Sequence, residues 1–187
     1  MSIHPAAFRI FVPVRALVFA VLAIFAMAAP VLAQDNPSGL PLPRFASTRS
    51  DPINIRVGPG TRYDIAWTYL VPGVPVEIVQ EFDTWRKIRD VDGEEGWVHT
   101  NLLSGERIGY VAPWNAEAQV NLVPNRSDAV APRAILGSKF RIAISECDGD
   151  WCAVSATHRG ENDRLATYAG FMDQQEIWGV YGSEVFD

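Results

Sequence analysis

Metal-ligating and nucleophilic side chains are scarce in this chain of 187 residues: it holds two cysteines, three histidines and two lysines. Cys147 and Cys152 are the only thiols, and His99 and His158 the only imidazoles beyond His4. A four-ligand zinc centre at familiar spacing cannot be assembled from them. No Ser/His/Asp or Cys/His constellation can be assembled either, so catalysis is not expected, and neither a cofactor nor a metal is. Asp90, Asp92, Glu94 and Glu95 crowd one turn, but their spacing is not that of an EF-hand loop, and a solvated hairpin turn accounts for them.

Positive charge is also in short supply. Beyond Ala33 there are 14 basic side chains, twelve of them Arg, against 22 acidic ones. That balance argues against nucleic acid, whose phosphates need a basic face, and against docking on an anionic lipid surface. The one long apolar run, Ala16–Ala29, has 14 residues, short of the ~20 that cross a bilayer as a helix. Arg9 and Arg15 precede it, Pro30 follows, and Val31-Leu32-Ala33 places small or compact residues where a signal peptidase reads them. Residues 1–33 therefore read as a secretory signal peptide cut after Ala33, or after Ala28 in an alternative register. The expected destination is the periplasm, with no membrane attachment after cleavage.

Beyond Ala33 no stretch of 12 residues keeps a helical period without a breaker. Residues 34–50, with Pro37, Pro41 and Pro43, read as an extended, mobile lead-in. Short β-prone runs follow: Ile53–Val57, Ile65–Leu70, Val74–Gln80, Trp85–Arg89 and Gly96–His99. Turn residues bound each of them, the signature of an all-β barrel or sandwich. Val74, Val76 and Ile78 alternate with Pro75 and Glu77, which predicts one buried face.

A weak internal repeat runs through these strands. Ile53-Asn54-Ile55 aligns with Val120-Asn121-Leu122, Trp85–Ile88 with Trp151–Val154, and Gly96-Trp97-Val98 with Gly170-Phe171-Met172. The offset grows from 66 to 74, so the second copy carries eight extra residues around His158–Arg164, expected as a longer exposed turn. Two units result, 51–111 and 115–182.

Cys147 and Cys152 flank Asp148-Gly149-Asp150-Trp151, a hairpin turn signal. Residues facing each other across such a hairpin lie within disulfide reach, and an oxidising compartment would preserve the bond. A structural clip is expected; a metal half-site and a redox pair are the alternatives. In the alignment Glu81 and Arg86 hold the places of the two cysteines, which predicts an exposed ion pair of ~0–1 kcal/mol. Strict alternation would put Glu81 and Arg86 on opposite faces, so the pairing requires a bulge or a register shift of one.

The run Ile53-Asn54-Ile55-Arg56-Val57-Gly58-Pro59-Gly60-Thr61-Arg62-Tyr63, continued by Gly73, Val76-Glu77-Ile78, Trp85-Arg86-Lys87-Ile88 and Gly96-Trp97-Val98-His99, resembles bacterial SH3-like (SH3b) domains. Trp85 to Gly105 is similar to an exported proteobacterial subfamily that often carries two such units behind a signal peptide. The likeness is strong over 53–111 and weak over 118–181, where Pro124–Asp128 replaces the Gly-Pro-Gly loop. It implies two tandem barrels of five or six strands, an all-β fold. It also implies a non-catalytic module that binds a peptide, a peptidoglycan stem among the candidates, or another periplasmic protein. Gly58 and Gly60 allow positive φ around Pro59. Tyr63, Trp67 and Trp97 are the candidate groove aromatics, with edge packing over a thin core as the alternative. Arg56 and Arg62, with Arg86, are candidates for a peptide carboxylate, with pairing to surface acids as the alternative.

Overall fold

The first strand begins where the sequence promised only a lead-in. The computed structural model describes residues 36–187, Glu161 excepted; the expected signal peptide lies outside these residues. Arg44–Thr48 forms β1, and Phe45, Ala46, Ser47 and Thr48 are all buried. Pro41 and Pro43 precede β1 rather than interrupt it, and a strand centre free of proline keeps every ladder N–H. Asn36–Leu40 is tied down as well, because Ser38 bonds to Glu81 through both its amide and its hydroxyl.

β2 (Ile53–Arg56), β3 (Ile65–Tyr69), β4 (Pro75–Phe82), β5 (Trp85–Arg89), β6 (Glu95–His99) and β7 (Leu103–Ser104) complete an antiparallel sheet in the order β3-β2-β6-β5-β4-β1-β7. Ile53, Ile55, Val76, Ile78, Ile88 and Val98 fill its interior. Ile53 and Ile55 lie two apart, as do Val76 and Ile78, which is the period that turns one face of a strand inward.

The remaining strands are β8 (Ile108–Val111), β9 (Gln119–Leu122), β10 (Ala134–Gly137), β11 (Arg141–Asp148), β12 (Trp151–Arg159), β13 (Leu165–Asp173), β14 (Ile177–Trp178) and β15 (Val185–Phe186). They form the order β10-β9 and, as a separate sheet, β13-β12-β11-β8-β14, with β15 added to β11. A second interior gathers Val111, Leu122, Ile142, Val154, Met172 and Ile177. β8 lies within the expected first unit, which ran to 111, yet it pairs with β11 and β14. The strand boundary thus falls at Gly105–Arg107, not between residues 111 and 115.

The registers correspond closely. Ile78 faces Ile88 and Gln80 faces Lys87, leaving Val79 as a bulge; Ile144 faces Val154 and Glu146 faces Ala153, leaving Ser145 as the bulge. After each bulge the next pair is Glu81↔Arg86 in one hairpin and Cys147↔Cys152 in the other. Of the two expected solutions to the alternation problem, the bulge is the one found. The two cysteines are disulfide-bonded.

Three expectations need correction. The eight extra residues do not make a longer turn: β5 and β6 have five residues each and β12 and β13 nine, so the addition extends the ladder itself. Glu81 and Arg86 are not an exposed pair, since the Glu81 side chain is wholly out of solvent and that of Arg86 nearly so. β4 is buried on both faces at Pro75–Ile78, because the second half packs against the outer one. There the Tyr181 hydroxyl donates to Glu77 at 2.9 Å, and Phe45 packs between Trp178 and Tyr181 at 5.2 and 4.8 Å.

Candidate functional site

On the outer face of β2, β6 and β5 the strand period exposes the residues that alternate with the core. Ile55 and Val98 point inward, so Asn54, Arg56, Trp97 and His99 point outward. Directly opposed residues share a face, and the register sets Arg56 beside Trp97, Trp97 beside Lys87, and His99 beside Trp85. The Trp85 and His99 rings meet edge to face, 5.5 Å between centroids. Asn54, Arg56, Trp85 and His99, with Pro52, Thr61, Asn101 and Leu102, line a groove of about 270 Å³.

His99 Nδ1 lies 2.6 Å from Asn101 Oδ1. The backbone N–H of Asn101 reaches the same nitrogen at 3.4 Å, so the turn that follows β6 fixes the orientation of the imidazole. Arg56 gives one N–H to the Tyr63 carbonyl at 2.6 Å. No carboxylate among the described residues forms an ion pair with it, which leaves its other donors for a ligand. The groove therefore offers an aromatic wall, one cation, one imidazole and two amide side chains.

The expected site residues separate. Arg56 lines the groove, and Trp97 adjoins it across the register. Trp67 does not join them: it faces Ile55 and packs on the first interior, 6.2 Å from Tyr69. Sequence alone had placed Trp67 and Trp97 on one surface, whereas the β2–β3 register puts them on opposite faces of the sheet. Tyr63 packs on the Gly58–Gly60 loop, with Arg62 over its ring at 5.0 Å, and neither lines the groove. Gly58 is needed for close approach rather than for positive φ, since a Cβ there would fall 2.6 Å from the Tyr63 ring. Arg86 is committed to Glu81 and to the carbonyls of Asp83 and Trp85. Trp85 and His99 were missed as site residues. Their signal was the alternation with Arg86, Ile88 and Val98, all buried.

A buried carboxylate supports the β4–β5 hairpin beneath this face. Glu81 accepts from Arg44 at 2.6 Å, from the Ser38 hydroxyl and amide at 2.7 and 2.8 Å, and pairs with Arg86 at 3.2 Å. Burial pushes its pKa up, but the Ser38 hydroxyl, Arg44, the Ser38 amide and Arg86 together outweigh burial and hold it below the usual carboxylate range.

Residues 49–105 match the family model of the bacterial SH3 domain. No curated protein matches the chain. Solved structures similar to it include two from one organism. NlpC2 from Trichomonas vaginalis shares 12% identity over 73% of this chain and 48% of its own, with a TM-score of 0.29. NlpC1 from the same organism shares 14% over 81% and 50%, with a TM-score of 0.27. The chain spans about half the length of each.

Proposed function

We propose that the protein is an exported, non-catalytic binding module of two tandem SH3-like units, and that the first recognises a peptide in the Asn54/Arg56/Trp85/His99 groove. The observation that carries this reading is the groove itself: an aromatic pair beside an arginine that no carboxylate among the described residues neutralises. An extended peptide would lay an apolar side chain on Trp85 and direct a carboxylate to Arg56. The His99 imidazole would hydrogen-bond the peptide backbone. A peptidoglycan stem has both an extended backbone and free carboxylates, and it is the ligand we favour.

Retention of the mature protein on purified sacculi tests this. Trp85→Ala and Arg56→Ala are expected to lower retention at least tenfold, and Arg62→Ala to leave it unchanged. Retention that survives Trp85→Ala and Arg56→Ala would refute the groove. No retention at all, with a periplasmic protein recovered by crosslinking, supports the second reading, an adaptor without cell-wall affinity. The fixed docking of the two halves through Tyr181, Glu77 and Phe45 favours that reading, because it would hold two partners in set geometry.

A further inference from the structure

The second half differs from the first at the mouth of its interior. In the first half Ile55 faces Trp67 and Ile53 faces Tyr69. At the corresponding places Leu122 faces Ala134 and Val120 faces Leu136. Two large aromatics that close the first interior are thus replaced by an alanine and a leucine, and a cleft of about 380 Å³ opens beside Leu136, Phe140, Ala156 and Tyr168.

The lengthened hairpin borders the same cleft. In the first half the Arg56↔Trp97 pair joins β2 to β6, and β6 begins two residues earlier, at Glu95. In the second, β13 meets the β9 side through the Val123↔Phe171 pair but runs back a further six residues, to Leu165. Phe171 uses both its N–H and its C=O toward Val123. By the two-residue period, Ala169, Thr167 and Leu165 present their backbone groups on that same edge. Among the described residues no strand pairs there; only Arg133 reaches it, donating to the Ala169 carbonyl at 2.6 Å. Ile135 and Tyr168, exposed at 57% and 44%, line the cleft with apolar surface, and unpaired edges beside such surface are sites of strand addition.

We propose that the β13 edge and its cleft bind an extended, apolar–acidic peptide segment of a partner protein as an added strand. Main-chain bonds to Leu165, Thr167 and Ala169 would supply affinity, and alternate side chains would enter the space vacated at Ala134. The acidic preference follows from charge complementarity. The cleft is lined by Arg133 and His158 and by no carboxylate, and Arg133 forms no ion pair among the described residues. This inference does not depend on the groove of the first half.

The test is amide NMR of the mature protein with an acetylated hexapeptide alternating valine and glutamate, against its valine–lysine counterpart. The first is expected to shift the amides of Leu165, Thr167 and Ala169, and the second to bind at least tenfold more weakly. Thr167→Pro removes an edge N–H that the internal ladder does not use, and Ala134→Trp refills the cleft. Each should weaken binding at least tenfold without lowering Tm, and Trp85→Ala should leave it unchanged. Arg133→Glu should reverse the charge preference. Absent shifts at Leu165–Ala169, or equal binding of the two peptides, would overturn the proposal. So would a concentration-dependent dimer abolished by Thr167→Pro, since the edge would then serve a second copy of the chain.

Discussion

Glu81 and Arg86 stand opposite each other one step beyond a bulge in β4, at the register where Cys147 and Cys152 stand opposite each other beyond the matching bulge in β11. One backbone geometry thus carries an ion pair in one hairpin and a covalent bond in the other. Glu81→Cys with Arg86→Cys is expected to oxidise without redesign of the backbone, and intact mass before and after reduction reads the result. Removing the native bond by Cys147→Ser and Cys152→Ser should cost about 2 kcal/mol, the chain-entropy value for so short a loop, measured by urea unfolding.

Glu81→Gln should destabilise by on the order of 3 kcal/mol, because two arginines would lose their buried counter-charge. The pH dependence follows from the lowered pKa. The contribution is fully present above the unfolded carboxyl value of about 4.3 and is lost as pH falls through the lower folded value. Glu81→Gln should therefore begin acid unfolding from a lower stability and at a higher pH, and its slope below pH ~4 should be shallower than that of the wild type. Denaturant midpoints taken across that range check both.

Gly96 has no room for a side chain. A Cβ there would fall 2.4 Å from Ile55 Cγ2 and 2.9 Å from the Trp67 ring. Gly96→Ala should cost about 1–3 kcal/mol by overpacking, and Trp67→Leu in the same chain should recover part of it. Thermal unfolding of the single and double variants reads the coupling.

The residues explain why some of this was legible and some was not. The alternation in Ile53–Ile55 and Val76–Ile78 showed the all-β fold and much of the first interior, the Trp85/Trp151 alignment matched the two hairpins, and the turn residues between Cys147 and Cys152 located the disulfide. β1 escaped notice because the prolines before it masked a strand whose partners, β4 and β7, are remote in sequence. The burial of Glu77 and Glu81 was invisible because tertiary neighbours cause it: Tyr181 for one, Ser38 and Arg44 for the other. The split of Trp67 from Trp97 depended on a cross-strand register that no local pattern encodes.

Tyr181→Phe removes a hydrogen bond to a carboxylate that Arg89 already holds through two nitrogens. A loss of about 1.5–3 kcal/mol is expected, the range for a bond to a charged acceptor. Burial, reinforced by Glu77, pushes the Tyr181 phenol above the ordinary tyrosine range. Its contribution is present below pH ~10 and lost as pH rises through the folded value. Burial raises Tyr69 and Tyr110 as well, so ultraviolet titration should show one late-ionising phenol fewer in Tyr181→Phe than in the wild type.

The position of β1 sets a limit on how the molecule can be divided. The family match starts at residue 49, one residue after a strand that bridges β4 and β7 and contributes Phe45 and Ala46 to buried surface. A recombinant fragment trimmed to the matched span would be a sheet with its seam torn open, prone to stick to its neighbours. A fragment that starts at Asn36 retains both the bridging strand and the Ser38 anchor.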